Sequence, residues 1–126
     1  MNAKILEFIN SINVCVISTN EPYSASVFYI FDENNNSIIF ISSTNSRHIK
    51  NIKTLAVAIY HQNPIKGLQI IGELSLATQE QKDIYIKKYK MAKFALNHEI
   101  YAIKLKYLKY TDNTLILPKK LEFNYE

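Results

Sequence analysis

The fold is decided by residues 22–60, which read PYSASVFYIFDENNNSIIFISSTNSRHIKNIKTLAVAIY. Ser24 to Asp32 is rich in Val, Phe, Tyr and Ile, and the run Ser37 to Ser42 follows a turn of three asparagines. Apolar β-formers separated by a short polar turn are typical of a β-hairpin. Leu55 to His61 predicts a further strand. The centre of the chain is therefore expected to be antiparallel β-structure.

Similar short segments flank this centre. Strands are predicted at Val14 to Thr19, Gly67 to Leu76, Glu99 to Tyr110 and Thr114 to Leu121. In the third of these, period-two alternation places Tyr101, Ile103, Leu105 and Tyr107 on one face. Because the strands follow one another at hairpin distance without regular βα alternation, we predict a mainly β (α+β) fold, a small antiparallel barrel with short peripheral helices.

Three helices are expected around the barrel. Apolar spacing from Ile5 to Ile12 predicts an amphipathic helix with Asn2 as its N-cap. Thr78 and Gln81 form a capping box that opens a helix running to about Lys90. A third, short helix is predicted from about Arg47 to Lys53.

Composition sets the broad class. The 126 residues predict one domain, 1–126, and 48% apolar residues with a net charge of +4 are typical of a globular chain. Cys15 is the single cysteine, so the sequence contains neither a disulfide framework nor a cysteine metal cluster. No apolar run reaches the roughly 20 residues of a membrane-spanning helix, and the N-terminus has no signal-peptide core, so a cytoplasmic protein is expected.

The segment SSTNSRHIKN, residues 42–51, contains the only arginine of the sequence. Hydroxyl side chains, the start of a predicted helix and a planar guanidinium together are suited to a phosphate group. His48 adds a further hydrogen-bonding group. The alternative is an ordinary capped helix with an exposed arginine, and the spacing alone leaves both interpretations open.

The order of these segments resembles the FMN-binding split barrels related to pyridoxamine 5′-phosphate oxidase, and the ending YTDNTLILPKK is similar to a short, uncharacterised subgroup of them. The likeness rests on the hairpin of residues 22–60, on Ser46-Arg47-His48, on IIGELSL at 70–76 and on the capped helix after Thr78. It implies one FMN-binding split-barrel domain and a homodimer with FMN, held non-covalently, at the interface. It also implies flavin-dependent redox chemistry on a small molecule, with a reduced nicotinamide as one possible electron donor.

Carried over position by position, the resemblance assigns two sets of cofactor-binding residues. Ser42, Ser46, Arg47 and His48 would bind the phosphate, with Ile41 beside them. The strand along the flavin ring would contribute Ser26, Val27 and Phe28, and Lys66 or Gly67 would make a polar contact to the flavin edge. No side chain is assigned as a catalytic acid or base.

The sequence also departs from the oxidase. It has no tryptophan and no arginine after Arg47, whereas the oxidase binds its vitamin substrate with both in a C-terminal segment. True pyridoxamine-phosphate oxidase activity is therefore not expected. Replacement of the family's second basic residue by His48 predicts a weaker, pH-dependent phosphate contact.

Two other classes of function remain open. One is a module of the same fold that binds flavin or haem without turnover. The other is a basic nucleic-acid-binding protein, because residues 85–94 and 104–110 interleave lysine with aromatic side chains. Alternation of Lys104 and Lys106 with apolar residues favours a half-buried strand over a nucleic-acid surface. His48, His61 and His98 lie far apart in sequence, and no metal site is predicted.

Overall fold

The structure is a computed structural model that describes residues 1–114 and 120–126. The elements run in the order α1 (Ala3–Ser11), β1 (Val14–Thr19), β2 (Tyr23–Asp32), β3 (Ser37–Ser43), β4 (Thr54–His61), β5 (Lys66–Leu76), α2 (Gln79–Lys88), a 3-10 helix (Lys90–Phe94), β6 (His98–Asp112) and β7 (Lys120–Asn124). The predicted last strand, 114–121, falls mostly on residues outside the described ranges.

The strands form a closed antiparallel barrel. Their order in the sheet is β3-β2-β1-β4-β5-β6-β7, and β3 also pairs with β6, which closes a barrel of six strands within the described residues. One edge of β6 pairs with β5, and its other edge pairs first with β3 and then with β7. The prediction of a mainly β fold with an antiparallel barrel and short peripheral helices is confirmed.

The barrel is split between β2 and β3. Their pairing, in the described chain, covers Tyr29 to Asp32 opposite Ser37 to Phe40. Beyond Tyr29, β2 continues beside β1, whereas β3 continues beside β6. The two strands therefore separate towards Tyr23 and Ser43, and this opening is called the split below.

Tyr85 of α2 and Tyr89, the C-cap residue that follows the helix, bind the backbone where the strands separate. The Tyr85 hydroxyl donates to the Phe28 carbonyl at 3.0 Å, and the Tyr89 hydroxyl donates to the Tyr29 carbonyl at 2.7 Å. The Phe28 carbonyl lies just beyond the end of the β2–β3 pairing, and Tyr29 is the β2 residue at that end. Because a backbone carbonyl without a partner is costly to bury, both bonds stabilise this end of the pairing. Helix α2 is thereby fixed on the outer face of β2 and β3.

Alternating side chains fill the barrel. In β4, Leu55, Val57 and Ile59 are buried while the residues between them are exposed. Helix α1 closes one end with Ile5, Phe8 and Ile9, and its N-cap is confirmed because Asn2 Oδ1 accepts from Lys4 N at 2.8 Å. A second cluster lies outside the barrel under α2 and comprises Ile39, Ala77, Tyr85, Ile100 and Ala102.

The helix predicted at residues 47–53 is wrong. This segment is a series of turns, in which the Ser46 carbonyl accepts from Ile49 N at 3.0 Å and from Lys50 N at 3.1 Å. Asn51 then adopts a left-handed backbone with φ of 61° and directs the chain into β4. The predicted capping box at Thr78 is confirmed, although α2 ends at Lys88 rather than at Lys90.

A β-bulge changes the alternation of β6. Ile71 pairs with Tyr107 whereas Gly72 pairs with Leu105, so Lys106 is the extra residue. The prediction that Tyr107 shares a face with Tyr101, Ile103 and Leu105 is therefore wrong. Beyond the bulge the buried residues are Leu108 and Tyr110.

Candidate functional site

The loop between β3 and β4 presents Arg47 at the mouth of the split. The guanidinium carbon lies 4.6 Å from the centre of the Tyr23 ring, at the start of β2. A cation over an aromatic face is favourable, and the ring restricts the arginine without occupying its N–H donors. Arg47 is exposed, so these donors are accessible from solvent.

A shallow pocket of about 340 Å³ lies beside this arginine. Arg47 and Lys50 contribute two positive charges to the pocket. Glu21 contributes one negative charge, the single carboxylate among the described residues that line it. Asn45 and Asn51 add amide groups that donate and accept hydrogen bonds. The balance of charge and the planar guanidinium favour a small oxyanion such as a phosphate.

His48 faces the interior instead. Its ring is buried, and Nε2 lies 2.8 Å from Ser42 Oγ, which is also buried. The ring lies parallel to that of Tyr23, with an interplanar angle of 9° and centroids 6.2 Å apart, and it also contacts Phe40. Among the described residues its Nδ1 has no hydrogen-bond partner. His48 and Ser42 therefore bond to each other and position the loop that carries Arg47.

Burial lowers the pKa of His48 below its usual value of 6.5. The imidazole is consequently neutral at pH 7 and contributes no positive charge to an anion there.

This lowered pKa predicts a pH-dependent stability. As the pH falls, the unfolded chain takes up the proton first, so the contribution of His48 is complete above about pH 6.5 and is lost as the pH falls towards the folded-state pKa. His48→Gln should therefore reduce the loss of unfolding free energy between about pH 7 and pH 5. Urea unfolding of both proteins at a series of pH values measures how the unfolding free energy changes with pH. The exposed His98→Gln is the control, and an unchanged slope in His48→Gln would contradict the assignment.

The flavin-strand residues lie on two different faces. Ser26 and Phe28 are exposed on the outer face of β2, whereas Val27 packs against the barrel core. Ile41 packs on the outer face, against the cluster under α2. Ser46 is half-buried in the loop, one residue before Arg47.

Lys66 lies away from the other assigned residues in the same chain. It begins β5 and pairs with His61 and Asp112. The Arg47 loop leads instead into Thr54, at the other end of β4. The two ends of that strand, Thr54 and His61, are roughly 23 Å apart. Lys66, and Gly67 beside it, therefore lie at the far end of β4 and β5 from the Arg47 loop.

An apolar groove adjoins the split on the outer face. We call it the outer groove; it has a volume of about 440 Å³ and is lined chiefly by Phe28, Ile41, Tyr85, Tyr89, Met91 and His98. Sequence patterns do not predict the last four as site residues, because they come from α2, the segment after it and the start of β6, and they meet β2 and β3 only through folding. The interleaving of aromatic residues with lysine at 85–94 is the available signal, and in the sequence it points to nucleic-acid binding rather than to a groove.

Comparison with known proteins decides the family. A UPF0306 protein of Campylobacter jejuni is 39% identical, with 98% of this chain and 98% of that protein covered. The chain belongs to the UPF0306 family. A UPF0306 protein of Cronobacter sakazakii is 29% identical over 87% of this chain and 83% of its own length. No protein-family model matches the chain.

Solved structures share the fold of this UPF0306 chain at low sequence identity. A general stress protein 26-related protein of the pyridoxinephosphate oxidase family from Clostridium acetobutylicum superposes with a TM-score of 0.71 at 13% identity, covering 96% of this chain and 92% of its own. A pyridoxamine 5′-phosphate oxidase-related, FMN-binding protein of Nostoc punctiforme gives 0.62 at 12%, covering 95% and 85%. A heme-binding protein of Mycobacterium smegmatis gives 0.74 at 12%, covering 98% and 59%. The fold is the split barrel of this group.

The assigned residues of the UPF0306 chain fit a phosphate-bearing cofactor in part. Arg47 presents free donors beside a positively charged pocket, which suits the phosphate end. Ser42 and His48 are buried and bonded to each other, so they support the loop rather than offering donors at its surface. Within residues 1–114 and 120–126 no group of three or more His, Cys, Asp or Glu side chains could hold a metal ion. No helix among those residues is long and apolar enough to cross a membrane.

Proposed function

We propose that this UPF0306 protein binds FMN non-covalently at the split and is a flavin-dependent oxidoreductase acting on a small molecule. The observation that carries the proposal is the exposed Arg47 guanidinium, which lies over Tyr23 at the mouth of the split and beside a positively charged pocket. The fold shared with an FMN-binding protein of Nostoc punctiforme supports the choice of ligand.

The chain's own residues would bind and orient the cofactor. Arg47 would donate two parallel hydrogen bonds to the phosphate, and Lys50 would add a second charge. The outward-facing Ser26 and Phe28 would lie beneath the ring, since both are exposed along β2. FMN itself would supply the redox chemistry, with a reduced nicotinamide as the proposed electron donor.

A homodimer would complete the site. The outer face of β1, β4 and β5 exposes apolar residues, among them Val16 and Ile71. A cavity of about 420 Å³ on this face is lined in part by Ile71 and Tyr107. Exposed apolar patches of this kind are covered in protein–protein interfaces. A second copy would cover this face and bring its Lys66 towards the cofactor.

Ile71→Glu tests the dimer. The side chain is exposed in the single chain, so the substitution leaves the fold intact but places a charge in the proposed interface. We expect the mass measured by light scattering to fall from twice the chain mass to the 14.6 kDa of one chain. Leu96→Glu, at an exposed apolar position on none of these three strands, is the matched control. A monomeric wild type, or a variant as dimeric as the control, would contradict the proposal.

A second candidate is a module that binds flavin or haem without turnover. The fold shared with the heme-binding protein of Mycobacterium smegmatis favours it. Both candidates require a planar ligand, and they differ in whether electrons pass on to a substrate.

Visible absorption of the purified protein tests the proposal directly. The spectrum is recorded as isolated, after addition of excess FMN followed by desalting, and after the same treatment with haem. A retained flavin spectrum supports the proposal, and oxidation of a reduced nicotinamide by the loaded protein separates the enzyme from the binding module. A protein that retains only haem supports the second candidate. If the protein retains neither FMN nor haem, both candidate functions are excluded.

A further inference from the structure

We propose that the outer groove binds the planar, apolar body of a small organic anion, whose acid group is held by Lys90. The proposal rests on the proposed function in one respect: such an anion would be a substrate of the flavin. Phe28 and Ile41 belong both to the groove and to the strands assigned to FMN, so a ligand in the groove would lie next to the flavin.

The walls of the groove are apolar because their phenols are already bonded. The Tyr85 and Tyr89 hydroxyls donate to the carbonyls of Phe28 and Tyr29, so both rings present carbon atoms to the groove. Phe28 packs against Tyr89 at a tilt of 48° with 5.8 Å between ring centroids and remains 60% exposed. Met91 is 76% exposed at the rim. Exposed aromatic and thioether groups around a concave surface favour a flat apolar ligand.

The charge at the rim favours an anion. Lys90 lines the groove, and no carboxylate among the described residues does so. The side-chain ion pair found among the described residues joins Lys82 to Glu99 at 3.3 Å, so it does not involve Lys90. The neighbouring Lys88 is held elsewhere, since its Nζ donates to Asn13 Oδ1 at 2.8 Å. Lys90 is therefore available to an acid group.

His98 offers the ligand a second polar contact. Its Nδ1 lies 2.7 Å from the Leu96 carbonyl oxygen, and because a carbonyl only accepts, this nitrogen carries the proton. This tautomer leaves Nε2 as an acceptor. A ligand with a hydroxyl or amine beside its apolar ring would satisfy Nε2, while its acid group would contact Lys90. The chemical class is thus an aromatic or similarly flat acid, and a hydrogen-bond donor on its ring would add a further contact.

Calorimetric titration with 2-naphthoate, a flat apolar anion, tests the groove. Met91→Glu places a negative charge and a polar side chain at an exposed rim position, so it should weaken binding by about tenfold or more without unfolding the protein. Ile65→Glu makes the same chemical change at an exposed loop position away from the groove and should leave binding unchanged. Equal affinities for Met91→Glu and Ile65→Glu, or no binding of 2-naphthoate to the wild type, would overturn the proposal.

The role of Lys90 is tested with a pair of ligands. Wild-type protein should bind 2-naphthoate more tightly than the neutral 2-naphthylmethanol, and Lys90→Gln should reduce that preference by roughly two- to fivefold, the range of an exposed charge pair. Lys87→Gln, on the exposed side of α2, is the matched control. A preference that survives in Lys90→Gln would overturn the assignment of this lysine.

Titration of the FMN-loaded protein separates this proposal from the flavin proposal. Flavin retention is measured by absorbance and naphthoate binding by heat, so each can fail alone. If FMN and 2-naphthoate bind together, the groove is a substrate site as proposed. If FMN displaces 2-naphthoate, the groove is the flavin's own site and the substrate assignment is wrong. If the protein retains no FMN but shows the expected variant pattern, the groove binds organic acids and the flavin proposal is wrong.

Discussion

Arg47→Ala is expected to weaken FMN binding about 30- to 150-fold, which corresponds to roughly 2–3 kcal/mol. The guanidinium is the exposed planar cation at the mouth of the split, and the substitution removes both its charge and its paired donors. Equilibrium titration of the flavin-free protein with FMN, followed by flavin fluorescence, measures the change. Arg47→Lys should recover only part of the affinity, because lysine retains the charge but not the planar fork.

The control for this prediction is Lys53→Ala. Lys53 is an exposed cation at the end of the same loop and does not line the Arg47 pocket. It should bind FMN as the wild type does. If Arg47→Ala and Lys53→Ala had the same affinity for FMN, Arg47 would have no part in phosphate binding and the site would lie elsewhere.

Gly72→Ala is expected to destabilise the barrel by about 1–3 kcal/mol. A Cβ atom at Gly72 would lie 2.5 Å from Ile103 Cγ2 and 2.6 Å from the Lys104 carbonyl oxygen. The second contact is with backbone in the strand opposite, next to the bulge, so it is relieved only by moving β5 away from β6. Chemical denaturation of the wild type and the variant measures the difference in unfolding free energy.

Gly67→Ala is the matched control on the same strand. Its Cβ would meet the Ile59 carbonyl oxygen at 3.6 Å, an ordinary contact. Because alanine also restricts the unfolded chain, the stability of Gly67→Ala should lie within about 1 kcal/mol of the wild type. Equal stabilities of the two variants would mean that β5 and β6 separate at the bulge without cost.

The strands could be predicted from sequence because each alternates clearly or is bounded by turn residues. Val14 to Thr19 was predicted with the bounds that the structure has, and the Thr78 capping box marked the start of α2. The helix at 47–53 was wrong because Ile49 and Ile52 are three residues apart, a spacing that a turn shares with a helix. The bulge at Lys106 was missed because period-two alternation continues across it in sequence.

The candidate site could be predicted only in outline. Arg47 stood out because no other arginine occurs in the chain, and the structure does expose it. The inward orientation of His48 depends on Ser42, Tyr23 and Phe40, which surround it only after folding. The outer groove combines Phe28 with Met91 and His98, which lie more than sixty residues further along the chain. A local sequence pattern cannot predict contacts between residues so far apart in sequence.

The Tyr85 hydroxyl also helps to keep strands of other molecules from pairing with β2. Where β2 leaves β3, its backbone has an open edge, and an open edge is a template on which a strand from another molecule can pair. Helix α2 covers the beginning of that edge, where the Tyr85 hydroxyl donates to the Phe28 carbonyl. Local detachment of α2 would expose more of this strand edge, next to the ring of Phe28, which is already 60% exposed. Resistance to aggregation therefore depends on this short helix remaining docked as well as on the stability of the barrel.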